Sequence, residues 1–208
     1  MNSTAKRTAK GNTRNKLLTT AHELFVKRGI DRVSIRDISK ESGVHLSLVN
    51  YYFQSKENLI QEIFAYAIKD IASQQRIILD AEMELEPKIK RYIDSYIDAL
   101  IKEPLLVSFV ISTLHRYADK ALDLHSVGLL YNTDRFAQQV RQAVEMGTIK
   151  PIDPEHLYID ILSLIVFPFA IGGLVQHRLQ VSNAKMRAFW QERREVVFNA
   201  VMASIKGC

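Results

Sequence analysis

Residues Ser34 to Lys56 read SIRDISKESGVHLSLVNYYFQSK, and the way this stretch is punctuated decides the fold. Ser34 is followed three residues later by Asp37, a capping pattern for a helix start, with Ile35 and Ile38 facing inward. Gly43 ends that helix after barely two turns, since glycine enters the left-handed conformation that closes a helix at little cost. Leu46 to Tyr52 form a third short segment, and Ser55 caps a longer helix carrying Leu59, Ile63, Phe64, Ala67, Ile68 and Ile71 at helical spacing. Two short helices joined by a tight glycine-containing turn predict a helix-turn-helix, whose second helix is narrow enough to enter the major groove of DNA. Ile38, Val44 and Val49 are expected to fix the angle between the helices, with Phe53 closing the pocket beneath. His45, Leu46, Ser47, Leu48, Asn50, Tyr51 and Tyr52 then remain outward.

On either side of this stretch the chain keeps the helical period. Leu17, Ala21, Leu24 and Phe25 form one stripe between Thr13 and Arg28, and Gly29 is a natural stop. Pro87, Pro104, Pro151 and Pro154 punctuate the rest, because each disfavours helix in the residue before it. Helices are predicted from about Lys88 to Lys102, Leu105 to Arg116, Asp119 to Met146 with a break near Gly128, Pro154 to about Val181, and Ala184 to Lys206. No hairpin signal occurs. The fold class is therefore all-α, with about nine helices: a flexible basic arm over residues 1–12, a three-helix DNA-binding domain over 13–60, and a helical body over 61–208.

The 208 residues carry 28 Lys and Arg against 23 Asp and Glu, a net of +5. The first 56 residues hold 11 of those bases and 4 of the acids, a net of +7, which leaves −2 for the remainder. Charge alone fits a solvated basic face as well as a surface that meets a polyanion, where neutralised phosphates release counterions. Cys208 is the one cysteine and sits at the C-terminus, so no internal disulfide is expected and a reducing, cytoplasmic setting is implied. No apolar signal segment opens the chain. The uncharged stretch Ile161 to His177 is interrupted by Ser163, Pro168, Gly172 and Gly173, and is expected to be a buried helix with no membrane contact.

The search for catalysis returns little. His22, His45, His115, His125, His156 and His177 show no metal-binding spacing, one cysteine excludes a Cys-rich zinc site, and no phosphate-binding glycine loop is present. His115 beside Asp119 is more ordinarily a helix-surface ion pair than an acid-base couple. No enzyme activity, metal or cofactor is expected.

Thr13 to Phe64 resembles the DNA-binding domain of the TetR family of bacterial transcriptional regulators. The family's Ala-x-x-Leu-Phe-x-x-x-Gly first helix is matched by Ala21, Leu24, Phe25 and Gly29, and Ser34 stands where a Thr or Ser opens the second helix. The Ile-Ala-x-x-Ala-Gly-Val core is met by Ile38, Ser39, Ser42, Gly43 and Val44. In the Tyr-x-x-Phe-x-x-Lys-x-x-Leu tail, Phe53, Lys56 and Leu59 match, Asn50 replaces the first Tyr, and His45 replaces the usual Ser cap. The resemblance implies a regulator of palindromic double-stranded operator DNA, with a repressor released by a small effector as the leading form. An activator of the same type and an architectural DNA-binding protein are the alternatives.

Together with helix-terminus physics, it assigns Ser34, Lys56, Asn50 and Tyr52 to phosphate or sugar, helped by Lys6, Arg7, Lys10 and Arg14 of the arm. Leu46, Ser47, Leu48 and Tyr51 are assigned to base edges, with His45 as a further contact or a cap. The family's last two helices pair across a two-fold axis, which implies a homodimer interface of Leu157, Ile161, Leu164, Ile165, Trp190, Val197 and Val201. Their neighbours Ile159, Leu162, Val166, Phe167, Phe169 and Met186 extend the same apolar run; the alternative for this run is an intrachain core. The family also implies a pocket for a hydrophobic or aromatic effector, for which Tyr66, Tyr96, Phe109, His115 and Phe167 are the candidates, core packing being the other reading of each.

Overall fold

Ten α-helices and one 3-10 turn account for the regular structure among the described residues of this computed structural model, which are 3–117 and 134–206, with side chains over 12–116 and 134–206. The helices are α1 (Ser3–Arg28), α2 (Ile35–Ser42), α3 (Leu46–Phe53), α4 (Lys56–Asp80), α5 (Leu85–Lys102), α6 (Leu106–Tyr117), α7 (Asp134–Glu145), α8 (Pro154–Ala170), α9 (Gly172–Leu179) and α10 (Asn183–Ile205). No strand occurs among the described residues. The first part of the helix predicted from Asp119, with Gly128, lies outside them, as do Cys208 and the side chains of Lys6, Arg7 and Lys10.

The chain divides into two units, residues 1–70 with 108–130 and residues 71–107 with 131–208, the divisions falling within α4 and α6. In the first unit α1 starts at Ser3 and absorbs the segment expected as a flexible arm. No proline interrupts it, and Ala, Lys and Arg favour helix strongly enough to carry the single Gly11. Its C-terminal half buries Leu17, Ala21, Leu24 and Phe25, until Gly29, at φ 84°, turns the chain into the 3-10 turn Ile30–Arg32. Ile38, Val49, Phe53, Leu59, Ile63 and Phe64 complete this core. Residues 108–117, which the sequence assigned to the C-terminal body, belong to this unit. Phe109 is buried and meets the rings of Phe64 and His22, and Arg116 pairs with Asp31.

In the second unit α5 packs along α10, and α8 packs on α5, α7 and α10. Pro87 does not delay α5, which begins at Leu85: in a helix's first turn the N–H that proline lacks has no helical acceptor. Lys88 is buried and donates its Nζ to the Leu79 carbonyl at 3.0 Å, at the end of α4, where free carbonyls attract a cation. Burial lowers the pKa of that ammonium, Arg135 adds to the effect and Asp80 opposes it. A group of phenols lies deeper, Tyr92 donating to the Tyr158 hydroxyl at 3.2 Å with Tyr96 against Tyr92; burial pushes all three phenols upward in pKa.

The single helix predicted from Pro154 to Val181 is two helices, bent by 62°. Asp153 caps α8, its Oδ1 accepting from the Glu155 N–H at 2.8 Å, and Pro154 occupies the first turn. Pro168 then lacks the N–H that would reach the Leu164 carbonyl four residues back. That carbonyl accepts instead from Arg193 Nη2 of α10 at 2.9 Å. Gly172 and Gly173 follow, and α9 leaves in a new direction. No single described helix is long and apolar enough to cross a membrane; α8 and α9 reach that hydropathy only as a bent pair, and Leu157, Ile161, Ile165 and Phe169 are buried within the unit.

The Arg193 bond exists because Pro168 vacates it, so the two residues are energetically coupled. Arg193→Met should cost about 1.5 to 3 kcal/mol, the value of a hydrogen bond from a charged donor. In a Pro168→Ala background, where a backbone N–H competes for Leu164, the cost should fall by about half or more. A double-mutant cycle in urea measures this, and strict additivity would contradict it.

Candidate nucleic-acid interface

The interface begins with two helix caps. At the start of α2, Ser34 Oγ accepts from the Asp37 N–H at 3.2 Å, and the Ser34 N–H donates to Asp37 Oδ2 at 2.8 Å, the reciprocal box read from the sequence. The Ser34 hydroxyl also donates to Asp37 Oδ2 at 2.5 Å. These bonds, the hydroxyl first and the backbone second, hold the Asp37 carboxyl below its ordinary range. At the start of α3 the cap is His45, whose Nδ1 accepts from the Ser47 N–H at 3.4 Å and lies 2.8 Å from Ser47 Oγ. An imidazole thus does the work of the usual serine, provided Nδ1 carries no proton.

The turn between the caps is tied by serines. Gly43 sits at φ 68°, in the left-handed region. Ser39 Oγ donates to the Val44 carbonyl at 2.7 Å, Ser42 Oγ donates to the Ser39 carbonyl at 3.3 Å, and the Val44 N–H donates to Ser42 Oγ at 3.3 Å. At both serines the family pattern quoted above has alanine. Here the hydroxyls satisfy backbone groups that the turn leaves without helical partners.

Val49 and Phe53 anchor α3 from beneath, at 0% and 2% exposure. Its opposite face carries Ser47, Leu48, Asn50 and Tyr51, all exposed, with Leu48 at 43% and Tyr51 at 62%. Leu46 and Tyr52 are half-buried at its margins, and the Tyr51 and Tyr52 rings meet edge to face at 5.6 Å. Gln54 follows at φ 59°, a positive value rare for a residue with a side chain. Ser55 Oγ then accepts from the Asn58 N–H at 3.1 Å, which places the half-buried Lys56 in the first turn of α4. The structure therefore brings Ser34, His45, Leu46, Ser47, Leu48, Asn50, Tyr51, Tyr52 and Lys56 onto α2, α3 and the start of α4 within one unit.

Other predicted positions fall differently. Arg14, expected to add diffuse attraction to a polyanion, is engaged with Glu62 of α4 at 2.5 Å. Arg36 and Lys40 are exposed four residues apart on α2. Sequence reasoning counted their charge and gave them no role, although that spacing puts two cations on one helix face. Of the effector candidates, Tyr66 and Phe109 both touch His22, whereas Tyr96 belongs to the phenol group of the other unit. His115 and Phe167 are exposed, so neither lines an enclosed cavity within its own unit.

The interface candidates need a similar correction. Leu157, Ile161, Ile165, Trp190, Val197 and Val201 are 6% exposed or less, and Leu164 is half-buried. Side chains so enclosed have almost no surface to offer a second chain. Phe169 stacks on Trp190 at 4.3 Å, and Met186 is also interior. The large apolar residues left uncovered on α8, α9 and α10 are Ile159, Phe167, Leu174, Leu179 and Val196.

The Asp37 bonds carry a pH signature. Its folded pKa lies below the unfolded one, so the α2 cap contributes fully above the ordinary carboxylate range of about 4 and is lost as the pH falls through the folded value. The stability gap between the native chain and Asp37→Ala should therefore be constant from about pH 5 to 7 and shrink below about pH 4, read by urea denaturation at each pH.

Residues 17–63 match the profile of bacterial regulatory proteins of the tetR family. The HTH-type transcriptional regulator SrpR of Pseudomonas putida is 23% identical over 192 residues, covering 88% of this chain and 86% of that protein. The HTH-type transcriptional repressor KstR2 of Rhodococcus jostii (strain RHA1) is 25% identical over 91 residues, 44% of this chain and 45% of that one. A TetR family transcription regulator from Marinobacter aquaeolei VT8 shares the fold with a TM-score of 0.68 at 18% identity, over 97% of this chain and 100% of that chain. The profile match covers the elements that build the candidate interface, α2, α3 and the start of α4 with the α1 residues beneath them. Residues 17–63 are thus a DNA-binding domain of the kind found in bacterial regulatory proteins of the tetR family, and the chain is a DNA-binding transcriptional regulator.

Proposed function

We propose that this regulator is a repressor that binds a palindromic operator as a homodimer and is released by a small hydrophobic or aromatic effector. The observation that carries the reading is the face of α3, where Ser47, Leu48, Asn50 and Tyr51 stand uncovered above a helix anchored by Val49 and Phe53. Ser47 and Asn50 offer donors and acceptors to base edges, and Leu48 an aliphatic surface to a thymine methyl. Ser34 and Lys56 lie at helix N-termini, where free N–H groups and the helix dipole favour phosphate; Arg36 and Lys40 add two exposed cations on α2. Repression is favoured over activation by the name of KstR2, a repressor whose match is 25% identical. Such a protein acts on the bacterial chromosome, in the cytoplasm.

One recognition helix reads only a few base pairs, so two copies on half-sites about one helical turn apart are needed. We place their contact on the uncovered apolar faces of α8, α9 and α10, at Phe167, Leu174 and Val196, in place of the enclosed residues that the sequence nominated. Residues 61–208 then serve effector binding and dimerisation. An effector that fits only the conformer unable to span both half-sites lowers DNA affinity by its differential affinity for the two states, about 5- to 150-fold for ordinary coupling.

Salt titrations on operator and random DNA test the reading. A dimer making about 8 phosphate contacts should give a log–log slope near about −7 on both, with the operator bound at least about 10³-fold more tightly. Equal affinities would point to an architectural protein. Lys56→Ala should weaken binding to every sequence and reduce the slope by about 1. Leu48→Ala should relax preference at one base pair by about 1 to 3 kcal/mol.

Phe167→Glu, at a position 62% exposed, should raise the dimer dissociation constant at least about tenfold without loss of helix content. Sedimentation velocity with circular dichroism measures both. An unchanged dimer would place the interface elsewhere.

A further inference from the structure

In the second unit, the start of α5, the end of α7 with the turn after it, and the end of α10 enclose a half-open groove of about 810 Å³. That size lies within the range of small-molecule sites. Its walls are apolar and pliant, with Leu85, Met146, Ile149, Phe198 and Met202 among them; methionine adapts its shape to varied ligands. The groove shares no residue with the α3 interface, with the effector candidates or with the phenol group.

The polar groups around it have unequal states. Lys90 is held by Asp94 at 2.8 Å and by Glu195 at 2.9 Å, with its Nζ 5.7 Å from the centre of the Phe198 ring. Lys206 is held by Glu86 at 2.9 Å. Both cations are therefore spoken for. The acceptors are not: Glu84 forms no ion pair among the described residues, and the Oε1 of Gln139 is buried without a hydrogen bond while its Nε2 donates to the Met83 carbonyl at 2.7 Å. A buried acceptor left unmatched is costly and calls for a donor. The local field agrees. Burial works against the charged form of Lys90, yet the hydrogen bonds and charges of Asp94 and Glu195 together raise its pKa above the ordinary lysine value.

We infer that this groove is a second ligand site, built for a small organic cation with an apolar body and an N–H donor head. The body lies on Met146, Phe198 and Met202, and the head turns toward Glu84 and Gln139. The inference rests on the second unit alone and stands apart from the DNA reading.

Three probes of one shape test it on the full-length protein: 4-phenylbutylamine, 4-phenylbutanol and 4-phenylbutyrate, titrated by calorimetry and by methionine-methyl NMR. The amine should bind about tenfold more tightly than the acid, since attraction is replaced by repulsion at a partly exposed carboxylate. It should shift the Met146 and Met202 methyl signals and leave that of Met186 in place. Glu84→Gln, at an exposed position whose side chain makes no cap bond, should weaken the amine about fivefold and leave the alcohol unchanged. Binding of the acid at least as tight as that of the amine, methyl shifts absent from Met146 and Met202, or an amine affinity indifferent to Glu84→Gln would each overturn the assignment.

Discussion

The left-handed backbone at Gly43 is the constraint on which the proposed DNA-reading surface depends. A residue with a side chain resists that conformation by about 1 to 2 kcal/mol, and without it α3 could not leave α2 at an angle that turns Val49 and Phe53 into the core. The face opposite those anchors is thereby presented to solvent, because one helix cannot direct both sides inward. Ser39 and Ser42 reinforce the geometry with hydroxyl bonds to the backbone of the turn. His45 caps α3 itself, and Ser55 caps α4, which follows it. The proposed recognition chemistry is thus held by local bonds within a short stretch of chain, which keeps the exposed side chains of α3 in a defined register.

In the second unit a missing donor organises the packing. Pro168 deprives α8 of one backbone N–H, and Arg193 reaches from α10 to satisfy the Leu164 carbonyl. A charged donor at a helix break both repairs the unsatisfied group and pins two helices together. The stacked rings of Phe169 and Trp190 lie beside this point. With Leu157, Ile161 and Ile165 drawn into the chain's own interior, the opposite side of α8 leaves Ile159 and Phe167 uncovered. A helix apolar nearly all round divides its residues between an internal core and a surface that gains from a partner.

Much of this was legible in the amino-acid order itself. The Ser34–Asp37 box, the Gly29 and Gly43 stops, the buried stripe of Leu17, Ala21, Leu24 and Phe25, and the exposed face of α3 follow from spacing, because they depend on interactions within a few residues. The serines at 39 and 42 stood in the sequence only as places in the family pattern, and their bonds to the turn belong to the folded structure. What the tertiary structure alone decided concerns relations over long distances in the chain. Periodicity could not say which side of α8 turns inward when nearly every side is apolar, that Arg193 would replace a bond broken at Pro168, that Arg14 would be engaged by Glu62, or that residues 108–117 would join the first unit. Local energies are set by neighbours along the backbone and can be read in order. Burial is set by whichever helix arrives from elsewhere, and no single stretch of sequence carries that information.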